Sequence, residues 1–547
     1  MIRFRRIVQL LSLSLFLLLL FLVSLSGVSL LNPDIFLRLD PSLMLVTAVA
    51  ARSLWAGLIP AGLVLLSALL AGRIFCGYIC PMGTTLDGTD AVLRPRKKNK
   101  RFFPGLFRIK YLILAFMLGA ALFGVSWVFF ASPLSLVTRL YGLVIFPALS
   151  FLSGLVLDVA RPLADALHIN TLAFARIRTI RFDTQFFIFF FFIATAGMVF
   201  FSPRFWCRCL CPAGAIFAIA SKSPLIRRQV SSACTQCGKC TRHCPMSAIE
   251  TASPRSTLHP ECIVCRNCEA ICPEQAVSFG RPQILRIGPS STFSPERRHI
   301  VSTGLAGAGT ALVSLTGLTS LYGKPGQGQV GTPGLVRPPG ALPETELLSQ
   351  CVRCGECMAA CPTNTLQPIW LKAGLPAIFS PAVTPRRGVC DPRCHECAKV
   401  CPTHAIRHLP PRERIWAKTG TARIIRRKCL AWEFQKHCMV CDEVCPFGAV
   451  EFEKRKSVSV PVPHVLEDKC GGCGYCEHFC PVQNQAAIVV TPMDELRLTA
   501  GSYETAARPR GFDLRIASHD VPSAPSPMPY PHSPKPENHP APGFDPE

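Results

Sequence analysis

The sequence predicts a multi-domain chain in which an α-helical membrane bundle is joined to small α+β modules built around cysteine. Three observations carry that prediction. Residues 1–230 hold nearly all the long apolar runs but only five of the 29 cysteines. The other 24 lie within 231–280 and 345–485, in short and regularly spaced groups. Charged residues make up 17% of the 547, with mean hydropathy +0.32, where ordinary soluble domains carry roughly 25% charge. A purely soluble enzyme is therefore disfavoured, and at about 150 residues per domain the chain should hold three or four units. It is also too long, and too poor in cysteine, for a disulfide scaffold. The net charge of +24 (58 basic minus 34 acidic residues) points to an anionic partner: nucleic acid, an acidic protein or a membrane surface.

A bilayer-spanning helix needs about 20 mostly apolar residues, because lipid offers the backbone no hydrogen-bond partners. Within the membrane unit, 1–230, four stretches qualify: Ile7–Leu31, Ser53–Ala71, Ile109–Ala131 and Thr184–Ser202. Ile7–Leu31 follows Arg3, Arg5 and Arg6 as a signal peptide would. It is too long for one and lacks a clear small-residue cleavage site, so it reads as an uncleaved span. A fifth stretch, Leu136–Leu157, holds Arg139 and Pro147 and reads as re-entrant or interfacial. The basic N-terminus and the dense cluster Arg94–Arg101 obey the positive-inside rule, which accounts for them more simply than nucleic-acid binding does. Both are placed on the cytoplasmic side, and no nucleic-acid partner is expected.

The membrane unit contains an internal repeat. Arg73-Ile-Phe-Cys76-Gly-Tyr-Ile-Cys80-Pro81-Met-Gly83 follows the second span, and Arg204-Phe-Trp-Cys207-Arg-Cys209-Leu-Cys211-Pro212-Ala-Gly214 follows the last. Both read R-x2-C-x3-C-P-x-G. Duplicated units usually serve equivalent roles, so both motifs belong on one face; Arg161, Arg176, Arg178 and Arg181 pull against that assignment. Thiolates select iron–sulfur clusters or zinc. Cys76, Cys80, Cys207 and Cys211 are therefore candidates for an additional redox or metal site, with Cys209 a buried thiol left over.

The remaining 24 cysteines form six quartets, each ending in Cys-Pro. Cys234, Cys237, Cys240, Cys244 and Cys262, Cys265, Cys268, Cys272 both follow C-x2-C-x2-C-x3-C-P, the bacterial ferredoxin run, whose fourth cysteine ligates the other cluster. Residues 231–285 thus read as a two-cluster 2[4Fe-4S] ferredoxin domain, with Cys272 completing the first set and Cys244 the second. Zinc sites usually pair two short knuckles and lack the third and fourth close cysteines and the proline. In residues 345–495, Cys351, Cys354, Cys357, Cys361 and Cys470, Cys473, Cys476, Cys480 keep the 2-2-3 spacing. Between them, Cys390, Cys394, Cys397, Cys401 is spaced 3-2-3 and Cys429, Cys438, Cys441, Cys445 is spaced 8-2-3. Regular outside and irregular inside predicts nested pairing, first quartet with fourth and second with third, similar to the four-cluster subunits of bacterial respiratory enzymes. No C-x-x-C-H occurs, so c-type haem attachment is not expected.

Arg297 and Arg298 precede the small, apolar stretch Ile300–Leu321. Residues 295–322 read either as a further span with basic flanks or as a twin-arginine signal retained as an anchor, with Val301 where the usual phenylalanine would stand. The first ferredoxin domain is then cytoplasmic and the four-cluster domain periplasmic. A Gly/Pro linker (Gly323 to Pro343) follows, and the chain ends at 500–547 in a Pro-rich tail that reads as disordered.

These motifs carry a resemblance. With its four spans, Cys76–Pro81, Cys207–Pro212 and the two-cluster run, segment 1–285 resembles NapH/MauN-type membrane ferredoxins. With Arg297, Arg298 and the quartets from Cys351 to Cys480, segment 295–495 resembles NapG/MauM-type exported ferredoxins. The chain reads as a fusion of the two, departing from both in segment 136–157 and in its tail. The resemblance implies six [4Fe-4S] clusters passing quinol-derived electrons to a periplasmic redox enzyme or cytochrome, such as a nitrate reductase. It implies a multi-pass protein of the bacterial inner membrane in contact with lipid and the quinone pool. No substrate chemistry other than redox is visible, so the chain is an electron-transfer component, at most a quinol dehydrogenase subunit. A redox-sensing regulator or a metalloenzyme-maturation factor is the alternative.

Overall fold

A computed structural model of the chain describes residues 2–24, 34–93, 104–166, 168–169, 180–281, 297–315, 335–371, 373–455 and 458–516. The end of Ile7–Leu31, the Arg94–Arg101 cluster, Arg176, Arg178, most of the Gly/Pro linker and the tail from 517 lie outside the described residues.

The N-terminal part is helical. Its longer elements are α1 (Ile2–Ser24), α2 (Pro41–Ala51), α3 (Ile59–Ala71), α4 (Pro81–Leu93), α5 (Ile109–Ala121), α6 (Pro133–Leu140), α7 (Phe146–Ala166), α8 (Gln185–Gly197) and α9 (Pro212–Ala220). Local chemistry sets several starts. Asp40 caps α2 by accepting from Ser42 N (2.9 Å) and Leu43 N (3.3 Å), with Pro41 in the first turn. Ser132 caps α6 ahead of Pro133, and its hydroxyl donates to the other oxygen of Asp40 at 2.6 Å.

The predicted spans are shortened. Among the described residues, two helices are long and apolar enough to cross a membrane: Arg3–Val23 and Pro133–Pro162, the latter formed by α6, a π turn at Tyr141–Ile145 and α7. Leu136–Leu157, expected to be re-entrant or interfacial, therefore lies within a crossing-length helix. Ser53–Ala71 opens with a 3-10 turn at Ala56–Leu58, so α3 starts only at Ile59. Ile109–Ala131 is interrupted after Ala121 by a turn through Gly124, whose φ of +79° suits a residue without a Cβ. Thr184–Ser202 is helical over Gln185–Gly197 and continues as a 3-10 turn to Phe200. Apolar composition does not register these turns.

Three modules each hold two cysteine quartets. In the first, β1 (Arg227–Val230) pairs antiparallel with β2 (Val277–Gly280). In the second, β3 (Leu366–Pro368) pairs with β4 (Pro381–Val383), and a bridge joins Ala341 to Ile406. In the third, β5 (Thr421–Ile424) pairs with β8 (Ile488–Thr491) around the inner pair β6 (Val450–Glu453) and β7 (Val462–Val465). The last two modules share one hydrophobic core and form a single C-terminal unit.

This unit is larger than predicted. Its fold begins within the supposed linker: Val336 bridges β4, and buried Arg337 pairs with Glu344 at 2.5 Å. It also continues into the supposed tail, where Tyr503–Ala507 is helical and Tyr503 is fully buried against Leu409, Ala417 and Leu496. Glu413 secures that helix by accepting from Ser502 Oγ (2.5 Å) and Tyr503 N (2.6 Å).

The first module and the C-terminal unit contact opposite ends of the same helices. Near the start of α1, Arg5 and Gln9 bind Gly77 O and Asp87, beside the first repeat motif; near its end, Val23 packs with Ala359, Ala360 and Val400. Leu70, at the end of α3, accepts from Ile226 N, just before β1, while the turn before α3 brings Gly57 against Pro402. Lys110, in the first turn of α5, binds Glu261 of the first module, and Ser126, beyond its end, accepts from Arg353 of the C-terminal unit. The 13 residues of α5 rise about 20 Å. A further helix, α10 (Arg297–Leu315), packs along α5: Gly304 lies against Ala115 and Gly119, and Ala311 against Ala120 and Val125.

Candidate metal centres

The cysteine loops share a backbone conformation. In each 2-2-3 quartet, the residue before the second cysteine and the residue after it both have positive φ: Gln236 and Gly238, Val264 and Arg266, Arg353 and Gly355, Gly472 and Gly474. After the fourth cysteine, the third residue onward is again left-handed in five of the six quartets: Ser247, Gln275, Asn364, His404 and Gly448. For β-branched Val264 such a conformation costs on the order of 1–3 kcal/mol and persists only where its surroundings enforce it. Alternating left- and right-handed residues turn successive amide N–H groups into one concavity, a nest suited to an anionic group. Residue type reveals these positions only in part: five are glycines, but Gln, Val and Arg occupy others.

The cysteines line cavities in the crossed arrangement. One is lined by Cys262, Cys265, Cys268 and Cys244, matching the predicted exchange of fourth ligands in the first module. Cys240 and Cys272, from the other predicted set, pack in one small core with Cys244 and Cys268. In the third module, one cavity is lined by Cys470, Cys473, Cys476 and Cys445, and a second by Cys429, Cys438, Cys441 and Cys480. In the second module, Cys351, Cys354 and Cys357 face Cys401, while Cys390, Cys394 and Cys397 face Cys361.

Quartets therefore pair sequentially, first with second and third with fourth, and the nested pairing is corrected. The irregular spacings have local causes. The extra residue in Cys390-x3-Cys394 closes a turn in which Asp391 accepts from Arg393 N at 2.7 Å. The eight-residue spacer before Cys438 packs Ala431 into the core and then loops out in a surface stretch, 433–437, exposed throughout.

The lining suits an anionic, polythiolate-bound group. Cys sulfurs accept backbone N–H bonds from Ala248 (to Cys244, 3.3 Å), Ala449 (to Cys445, 3.3 Å), Ala422 (to Cys470, 3.4 Å) and Ala487 (to Cys480, 3.4 Å). Arg228 and Arg414 reach Cys240 and Cys390 at 3.5 and 3.3 Å. Burial pushes the Cys394 and Cys441 thiols up to about 12, a bias toward the neutral thiol that coordination by a cationic metal centre reverses. Among the described residues, no three His, Cys, Asp or Glu side chains converge as ligands of a single ion would. At the seam between the two C-terminal modules, Cys390 N donates to Cys473 O at 2.9 Å, joining a cysteine loop of the second module to one of the third.

The two R-x2-C-x3-C-P-x-G motifs meet at the end of the helical part that contacts the first module. The second cysteine of each, Cys80 and Cys211, directly precedes the helix that its proline begins, α4 or α9; Cys211 Sγ accepts from Gly214 N at 3.3 Å. The motifs clasp one another. Arg73 of the first donates to Cys207 O of the second (3.3 Å), and Arg204 of the second donates to Cys76 O of the first (2.9 Å). The motif glycines leave room for these arginines: a Cβ on Gly214 would lie 2.7 Å from Arg73 Nη2, and one on Gly83 would lie 3.6 Å from Arg204 Nη1 and 2.8 Å from Cys76 O.

Both arginines are almost fully buried and paired with acids, Arg73 with Glu261 (2.9 Å) and Arg204 with Asp87 (2.6 Å). Glu261 also accepts from Lys110 at 2.5 Å. Cys76, Cys80, Cys207 and Cys211 lie within electrostatic reach of one another, while Cys209 is buried outside that set. The repeat made the arginines visible in the sequence; nothing marked Glu261.

Crossed cysteine quartets in repeated nests define a multi-domain ferredoxin-type iron–sulfur protein. Known families agree. A 4Fe-4S binding domain family matches residues 53–101 and 184–231, another matches 348–367, and 4Fe-4S dicluster domains match 226–273 and 435–484. The chain is 35% identical over 208 residues to the methylamine utilization ferredoxin-type protein MauM of Methylorubrum extorquens, covering 37% of this chain and 91% of that protein. It is 35% identical over 171 residues to the ferredoxin-type protein NapG of Escherichia coli, covering 29% of this chain and 71% of that protein. The methylamine utilization ferredoxin-type protein MauN of Methylorubrum extorquens is 27% identical over 227 residues, covering 38% of this chain and 63% of that protein. The chain belongs to the MauM/NapG family of ferredoxin-type proteins.

Proposed function

We propose that the chain is a membrane-bound electron-transfer protein that carries electrons from quinol, or from a cytoplasmic donor, to a periplasmic redox enzyme or cytochrome, such as a nitrate reductase. In this reading a MauN/NapH-like half and a MauM/NapG-like half are fused in one polypeptide of the bacterial inner membrane. The observation that carries it is the placement of two cysteine-rich bodies at opposite ends of the same apolar helices. The basic start of α1 lies at the end occupied by the first module, which fits a cytoplasmic location for that module and a periplasmic one for the C-terminal unit.

The six quartets would hold six [4Fe-4S] clusters, which act as one-electron carriers tuned by hydrogen bonds to sulfur and by burial. This reading orders them along the chain: the Cys390 N–Cys473 O hydrogen bond links the second module to the third, and the segment before Cys441 exposes Phe434 and Met439, which would form a contact surface for a redox partner. Cys76, Cys80, Cys207 and Cys211 would hold a further thiolate-bound group between the first module and the helices.

An impermeant thiol label on right-side-out vesicles tests the arrangement. Introduced Phe434→Cys is expected to react from outside and Lys239→Cys only after permeabilisation. Equal reaction of both without permeabilisation contradicts the reading.

A further inference from the structure

A cavity of about 380 Å³ lies between α4, α6, α8 and the second module, lined by none of the cysteines and far roomier than a single water requires. Its walls are aromatic. Phe187 of α8 stacks on Trp370 at 4.2 Å and 12°, and Trp370 meets Phe379 edge-on at 5.6 Å. Phe190 and Phe191 also line it, and the same helix carries Phe186 on its exposed apolar side, so the cavity borders a surface that lipid would cover in the proposed reading.

Two polar groups interrupt these walls, and both are almost completely buried. Thr195 donates its hydroxyl proton to Phe191 O at 2.9 Å, which leaves its oxygen able to accept. Arg139 is held by Nε to Ser135 O (3.3 Å) and by Nη2 to Phe129 O, with its guanidinium over the Phe379 ring at 4.9 Å. Its third nitrogen, Nη1, makes no hydrogen bond among the described residues. Arg139 also lies within electrostatic reach of Cys354, a member of the first C-terminal quartet.

We propose that this cavity binds the headgroup of the quinol. A flat, lipid-soluble ring matches the aromatic walls and the lipid-side border, and a ring oxygen matches the uncommitted Arg139 N–H. The inference rests on the quinol-donor reading and adds the location of the site: between α4, α6, α8 and the second module, with Trp370 and Phe379 on the face toward the C-terminal unit and Met82 of the first repeat motif also in its lining. Oxidation there breaks two O–H bonds, releases two protons to water on that face, and passes two electrons, one at a time, to the carrier that Cys351, Cys354, Cys357 and Cys401 would hold.

The full chain, purified anaerobically with its clusters, is treated with decylubiquinol while cluster absorbance is followed. Separately, it is photolabelled with an azidoquinone, with and without excess decylubiquinone. The expected results are bleaching that needs about tenfold more decylubiquinol in Leu140→Trp, which fills the cavity, a loss of about 1.4 kcal/mol, and protectable label within 185–197 or 370–379. Should Leu140→Trp fail to fold, the label on the unmodified chain decides. Undiminished bleaching in folded Leu140→Trp, or protectable label elsewhere, overturns the site and leaves quinol as donor. Label in the cavity without bleaching supports the site and overturns quinol as donor. Neither label nor bleaching overturns both.

Discussion

At the scale of single residues, Glu261 decides how the first module meets the helices. One carboxylate serves two buried cations, Arg73 and Lys110, and neither can reach water. Glu261→Gln would leave that positive charge buried beside a neutral amide, at a cost on the order of 3–5 kcal/mol. The expected outcome is faster hydrogen exchange across 259–264 and a lower melting temperature; unchanged exchange would mean that the triad does not hold the module. In the C-terminal unit, Glu344 likewise serves two cations. Burial opposes ionisation of Glu344, but Arg337 and Arg497 outweigh it and hold its carboxyl down to about 2, tying the start of the unit to its end. Residue-level legibility was uneven. The cysteines and the repeat arginines stood out because their spacing repeats, whereas Glu261 and the left-handed Val264 and Arg353 act through contacts distant in sequence.

At the scale of elements, the contact between α5 and α10 is made by glycine. A Cβ on Gly119 would lie 2.0 Å from Gly304 O, and one on Gly307 would lie 2.0 Å from Phe116 O, so the two backbones touch directly. Such close approach of small residues is a means by which helices associate in lipid. Gly307→Val is expected to separate them, read as loss of the disulfide that Ala120→Cys and Ala311→Cys form under mild oxidation; retention of that cross-link would contradict the packing. The apolar stretches were legible as helices, but their lengths were not. A hydropathy window averages over the turn at Gly124 and the 3-10 start at Ala56, and it counts Arg139 against α6 although aromatic rings and backbone carbonyls accommodate that side chain. Small, apolar Ile300–Leu321 did announce a helix, and its described part, to Leu315, packs along α5 through the small residues noted in the sequence.

At the scale of the whole molecule, three modules of two quartets and one helical part account for 28 of the 29 cysteines, with Cys209 outside both sets. The existence of the quartets was legible from spacing alone. Which quartets pair was not, because the irregular spacings report an Asp391 turn and an exposed loop instead of partner choice. Sequential pairing makes a sharp prediction. Cys445→Ser and Cys476→Ser should remove the same paramagnetic signal from the reduced protein, and Cys397→Ser a different one; loss of one common signal in Cys445→Ser and Cys397→Ser would restore the nested order. The two cysteine-rich bodies contact opposite ends of the helices, and the proposed delivery of quinol electrons through the C-terminal unit is the claim to test. The direct test is a proteoliposome carrying the full chain, decylubiquinol in the bilayer and an impermeant ferric acceptor outside. The account predicts that the acceptor is reduced in vesicles with the C-terminal unit outward, and that Cys445→Ser abolishes this. No reduction by a chain whose six clusters are intact by Mössbauer spectroscopy, or undiminished reduction in Cys445→Ser, would contradict it.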